Sequence, residues 1–150
     1  MLQLSEHFTL DELIYSETAI RVGIDNRPSL DIVSNLSRLC LLLEQVRGLI
    51  NKPIRISSGY RCIALNQLVK GQPNSQHLVG CAADIKVSGM TPDEIVKAII
   101  QSEIQYDQLI REFCDGKGNG WVHISVPNKP EDTPRNQTLI IDKSGTRSYS

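Results

Sequence analysis

Residues 29–50 read SLDIVSNLSRLCLLLEQVRGLI, and the spacing of their apolar positions decides what kind of fold this chain adopts. Ile32, Val33, Leu36, Leu39, Leu43, Val46 and Ile50 recur at intervals of three and four, the period of one face of an α-helix. The pattern predicts a long amphipathic helix that opens at Ser29 and is closed by Pro53. Upstream, Thr9-Leu10-Asp11-Glu12 places a hydroxyl three residues before a carboxylate, which predicts a short capped helix running to about Ser16. Residues 24–28 read as a loop. Downstream, Ile54-Arg55-Ile56 alternates like a short strand, 65–69 fits a second, shorter helix, and 70–76 is a polar loop. Residues 82–87 read as a buried strand. Thr91-Pro92-Asp93-Glu94 then opens another helix, with Ile95, Ala98 and Ile99 on its apolar face. Residues 106–113 and 121–126 read as strands joined by the glycine-bearing loop 115–120. The tail from 127 is polar until Leu139-Ile140-Ile141, where an edge strand is expected. Helices come first and strands dominate later, so the chain is expected to be α+β. One domain over 1–150 is expected, with 127–150 as a polar C-terminal extension.

Composition removes several classes of function. Sixteen Lys and Arg stand against 17 Asp and Glu, a formal net charge of −1. A nucleic-acid or membrane-surface binder needs a clustered positive field, and none is present. No run approaches the roughly 20 apolar residues of a membrane span. A chain of 150 residues buries enough surface to fold without disulfides. Cys40, Cys62, Cys81 and Cys114 form no closely spaced pair of the kind a four-cysteine zinc site uses. Met1 to Thr9 carries Glu6 and His7 and lacks the apolar run of a signal peptide. Synthesis in a reducing cytoplasm with free thiols, as a monomer, is the expectation.

The chemistry concentrates in three segments: Ser57-Ser58-Gly59-Tyr60-Arg61, residues 75–84 (SQHLVGCAAD), and Trp121-Val122-His123. His77, Asp84 and His123 are the number and type of protein ligands that hold a catalytic zinc, which keeps a further position open. Such a metal activates water near neutral pH and polarises a carbonyl. Alternation along 121–126 sends Val122, Ile124 and Val126 towards the core and Trp121, His123 and Ser125 to the opposite face. Asp84 interrupts an apolar strand, and a carboxylate there is costly without a partner. His7 has no such partner nearby and is read as an ordinary surface histidine.

Ser-Gly-Tyr-Arg at 58–61, Leu65-Asn66, the Ser-x-His-x-x-Gly-x-Ala-x-Asp run at 75–84, and Trp-Val-His at 121–123 resemble the zinc D-Ala-D-Ala carboxypeptidase family. These are bacterial and phage peptidoglycan peptidases whose fold is shared with hedgehog domains. Residues 4–9, 16–19 and 23–28 further resemble the short phage-type members, and the similarity covers roughly 4–128. The resemblance implies a small antiparallel sheet with helices on one side and a single zinc ion on His77, Asp84 and His123. It also implies a metallopeptidase, carboxypeptidase or endopeptidase, acting on the peptidoglycan stem peptide. Arg61 matches an arginine that binds or polarises substrate, a role suited to a guanidinium fork. Ser75 either contacts substrate or fixes its loop, and Trp121 is either a pocket wall or packing. Many relatives carry the general base three residues before the last histidine, where this chain has Gly120. Glu112, in Asp107-Gln108-Leu109-Ile110-Arg111-Glu112, is the candidate in its place, provided the strand register sets it opposite an odd-numbered residue. Asp115 is the alternative. The missing acid keeps open a second function, a zinc-containing cell-wall or peptide binding module without turnover. A phage-encoded or virion-associated enzyme, reaching the cell wall after release, is the expected biological setting.

Overall fold

The computed structural model describes residues 2–115 and 119–149. Apart from the short helix that follows Cys62, its helices begin where side-chain oxygens take up orphan backbone N–H groups. Thr9 closes both halves of a capping box with Glu12 to start α1 (Leu10–Ile14), and Ser16 caps α2 (Glu17–Val22), which ends on left-handed Gly23. The second of these short helices continues where the sequence reading stopped at Ser16. Ser29 caps the long α3 (Leu30–Ile50), which stops at left-handed Asn51, ahead of Pro53. Then come β1 (Arg55–Ser58), α4 (Ile63–Leu68), a 3₁₀ turn (Gln76–Val79) and β2 (Ala82–Lys86). Thr91 and Glu94 form the second capping box, opening α5 (Pro92–Ile100) with proline in its first turn. The chain ends in β3 (Gln108–Glu112), β4 (Trp121–Ser125), β5 (Gln137–Asp142) and β6 (Gly145–Ser148). None of the described helices is long and apolar enough to cross a membrane.

The six strands form one sheet in the order β1-β2-β4-β3-β5-β6. It is mixed, which corrects the expectation of an antiparallel sheet: β5 runs parallel to β3, while every other neighbour pair is antiparallel. Nor is 139–141 an edge strand, because β6 covers the outer side of β5. Alternation in a single strand reports which face is buried but not which way the neighbour runs. Direction here is set by the connection 126–136, which passes over the start of β3. There Asn136 N–H donates to Tyr106 O (2.8 Å) and Gln137 N–H to Asp107 O (3.1 Å).

One face of the sheet builds the core. Ala83, Ile85, Leu109, Val122 and Ile124 pack with Leu36, Leu39, Leu43 and Val46 of α3 and Ile95, Val96 and Ile99 of α5. Each fully buried aliphatic side chain of this set contributes about 1.5–3 kcal/mol by leaving water. The other face carries Asp84, His123, Ile110 and Glu112, so the strands that close the core also present the polar centre.

Asn26 joins the N-terminal helices to the segment leading into that centre. Its amide donates to Ile14 O (2.8 Å) and Tyr60 O (2.9 Å), and its oxygen accepts from Cys62 N–H (2.8 Å). Asn26→Ala strands two carbonyls and an N–H in a part-buried seam, and about 2–3 kcal/mol of stability is expected to be lost. Urea unfolding checks this; a loss under about 0.5 kcal/mol would mean that water replaces the amide without cost.

Candidate metal centre

His77, Asp84 and His123 each turn one donor atom to a common point, all within 4.8 Å of one another. Asp84 Oδ1 lies 3.3 Å from His77 Nε2 and 3.1 Å from His123 Nδ1, and the imidazoles meet edge to face with centroids 5.1 Å apart. The three are only 2%, 9% and 8% exposed. Strand pairing accounts for two of them: β2 and β4 run antiparallel with Asp84 directly opposite His123. The third arrives on the 3₁₀ turn. Ser75 caps that turn by accepting from His77 N–H (3.2 Å), and Gly80 ends it at φ +74°, a conformation that glycine adopts without steric cost.

His77 is held from behind. Its Nδ1 lies 2.7 Å from Gly59 O, and a carbonyl can only accept, so Nδ1 carries the hydrogen and Nε2 keeps its lone pair. Gly59 is required for this approach: a Cβ there would overlap the carbonyl oxygen of Leu13, which accepts from the neighbouring Tyr60 N–H. Burial works to raise the Asp84 carboxyl. When the facing imidazoles carry a proton towards it, the His77 charge and the hydrogen bonds from His123 and His77 outweigh burial and hold the carboxyl below its ordinary value; when those nitrogens keep their lone pairs, a bound cation would take the protons' place. Two imidazole nitrogens and a carboxylate oxygen, buried and convergent, suit the nitrogen and oxygen ligation of zinc.

Glu112 faces the same centre. It pairs with Trp121 across the β3–β4 ladder, which puts its side chain on the face of His123, and its Oε1 lies 3.9 Å from His123 Nδ1. Burial, and then the charge of Asp84, push its carboxyl above the usual value, against smaller pulls from His123, Trp121 and Arg61. Gly120 sits at φ +94°, and a Cβ there would fall 2.5 Å from Glu112 O. This backbone has no room for a side chain at the position where the resemblance would place an acid. Asp115 is exposed and bonded to Asn119, is not among the residues that line the cleft, and residues 116–118 of that loop lie outside the described residues.

The centre lies in a cleft of about 1220 Å³, whose lining includes Arg61, Ser75, Glu112 and Trp121. Arg61 donates its main-chain N–H to His77 O (3.1 Å), while its buried Nε has no hydrogen-bond partner among the described residues. Burial lowers its guanidinium, partly offset by the charges of Asp84 and Glu112. The indole N–H of Trp121 is buried and pulls on the Glu112 carboxyl, without an aligned hydrogen-bond partner among the described residues, and its ring lies 5.5 Å from that of Phe113. The remaining histidine, His7, is tied to Glu44 (2.6 Å). All four cysteines are free thiols, and burial pushes that of Cys40 up to about 12.

One network was not legible in the motifs. The buried Asp107 accepts from Arg135 through Nε (3.0 Å) and Nη2 (2.7 Å), and from Gln76 Nε2 (3.1 Å). Gln76 also donates to Val126 O (3.0 Å), so the residue before His77 is anchored to the chain leaving β4. Burial alone would raise the Asp107 carboxyl; the Arg135 hydrogen bonds outweigh it and hold it below the ordinary value. The unfolded chain therefore takes up this proton more readily than the native one. The pair's contribution is complete above about pH 4 and is withdrawn as pH falls through the lower native value. Arg135→Ala is expected to cost about 1–2 kcal/mol at neutral pH, and the difference from wild type should shrink below about pH 4. Denaturant titrations at several pH values measure both; a pH-independent difference would assign the loss to packing.

A family model described as Peptidase M15 matches residues 6–125. No curated protein sequence matches the chain.

Proposed function

The chain belongs to the peptidase M15 family, a family of zinc peptidases, and from that premise we propose that it hydrolyses a peptide bond in the stem peptide of peptidoglycan. The observation that carries this reading is the convergence of His77, Asp84 and His123 on one point with the Glu112 carboxylate beside them. A zinc ion held by the three supplies Lewis-acid polarisation of the scissile carbonyl and a water nucleophile near neutral pH. Glu112, whose carboxylate stands beside the three ligands, would take the proton of the attacking water and hand it to the leaving amine. Arg61, which lines the cleft and has a buried donor without a partner among the described residues, binds the carbonyl oxygen or a terminal carboxylate of the substrate. Ser75 keeps His77 in place and Trp121 walls the cleft. The protein acts as a monomer on the cell wall after release. The likeness of its first residues to short phage-type members supports an endolysin or virion-borne role.

Gly120 supports a second reading, a binding module that keeps the centre without turnover, since it removes the acid at the position many relatives use. Mass spectrometry of a disaccharide-pentapeptide incubated with zinc-loaded protein separates the two. Loss of one terminal alanine identifies a carboxypeptidase, and a split stem identifies an endopeptidase. Intact substrate with zinc still bound would end the enzymatic reading.

A further inference from the structure

Following the strand register outward from the metal centre reveals a row of side chains with a change of character. Asp84 faces His123, His123 faces Ile110, and Ile110 faces Leu139 on β5. One rung along, Trp121 faces Glu112, and Glu112 faces Ile141. The metal-binding face of the sheet thus runs without a break into an apolar floor of Ile110, Leu139 and Ile141, and all three line the same cleft. The hairpin that supplies Leu139 and Ile141, residues 137–148, lies beyond the stretch the family model matches.

Phe113 completes the floor. It sits at φ +52°, a left-handed conformation that is an outlier for a bulky residue. Its N–H is held there by Ile141 O at 2.9 Å. The residue is 45% exposed and lines the cleft, and its ring leans on Trp121 at a tilt of 30°. Backbone strain that leaves a large aromatic ring half in water contributes nothing to the core, and such strain concentrates at functional sites.

We infer that Phe113, Trp121, Leu139 and Ile141 form a specificity subsite for an aliphatic side chain of the substrate, built by the C-terminal hairpin onto the family's catalytic face. The inference rests on the peptidase reading for the reaction but not for the binding. Leu139 lies two strands from His123, about 10 Å, which is about three residues of extended peptide. The side chain selected is therefore two or three residues from the scissile bond.

Trp121 is the only tryptophan, so its fluorescence reports occupancy of the floor directly. The probes are acetyl-norleucyl-glycyl-D-alanyl-D-alanine and the same peptide with aspartate in place of norleucine. Titrated into zinc-loaded Glu112→Gln protein, the norleucine peptide should shift Trp121 emission and bind about tenfold tighter than its aspartate counterpart. Phe113→Ala and Ile141→Thr, placed in that background, should each remove most of this preference. Phe113→Gly should do the same while accepting the left-handed backbone without strain, which separates a lost ring from a disturbed fold. In the otherwise native enzyme, Phe113→Ala should raise KM for the norleucine peptide about tenfold and change kcat by less than about threefold. Equal affinity for both probes, or a preference that survives all three substitutions, would overturn the subsite. A preference abolished by the variants, with no hydrolysis by the native protein, would retain the subsite and remove the peptidase reading. Hydrolysis of both probes with no preference would do the reverse.

Discussion

Replacing Asp84 by alanine is expected to empty the centre of zinc and to lower peptide hydrolysis by at least about 10³-fold. The size of the effect follows from where the carboxylate stands. Asp84 is the one donor that neutralises charge at the centre, and its Oδ1 is the atom on which the two imidazole nitrogens converge at 3.3 and 3.1 Å. Two neutral imidazoles alone hold zinc far more weakly than a set completed by an anion. Zinc per chain, measured by atomic emission after dialysis against a weak chelator, tests the first part, and product formation tests the second. Retention of one zinc per Asp84→Ala chain under those conditions would show that the metal lies elsewhere.

Glu112→Gln separates the metal from the chemistry. The variant should keep its zinc, because His77, Asp84 and His123 are untouched, yet kcat should fall by about 10²–10⁴-fold. Glutamine preserves shape and cannot take a proton. The pH profile adds a signature. Burial first, and the Asp84 charge second, push the Glu112 carboxyl up in the metal-free protein, and a bound zinc would pull it back down; in the loaded enzyme its basic form fills in as pH rises through the value these opposing effects set. In the native enzyme kcat/KM should climb on this acid limb and then level, whereas the residual rate of Glu112→Gln should lack the limb. Asp115→Asn should leave the profile unaltered, since Asp115 is engaged with Asn119 on the exposed loop. Native-like turnover in Glu112→Gln would pass the role of base to another group.

Local signals in the chain were read with little loss. The capping box at Thr9, the serine opening α3 and the proline start of α5 are interactions within three or four residues, and the folded protein keeps each. Val122 and Ile124 enter the core and His123 faces away from it, because alternation follows from the pleat of a single strand. The segment 17–22 is too short to show a helical period, and only its caps, Ser16 and Gly23, mark its start and stop.

By itself the sequence determined the helices, the inward faces of the strands, and the small set of side chains able to bind a metal. Tertiary structure alone decided how they meet. Whether Glu112 faces His123 or the core depends on the β3–β4 register, and no residue type records a register. The acceptor that orients His77 is a main-chain carbonyl, Gly59 O, a group every residue possesses. The same holds for the parallel course of β5 and the Asp107–Arg135 pair, which join parts of the chain that are neighbours only after the core has closed. Short-range geometry is written residue by residue, whereas these contacts exist because burying α3 and α5 against one face of the sheet leaves the opposite face to gather the polar groups.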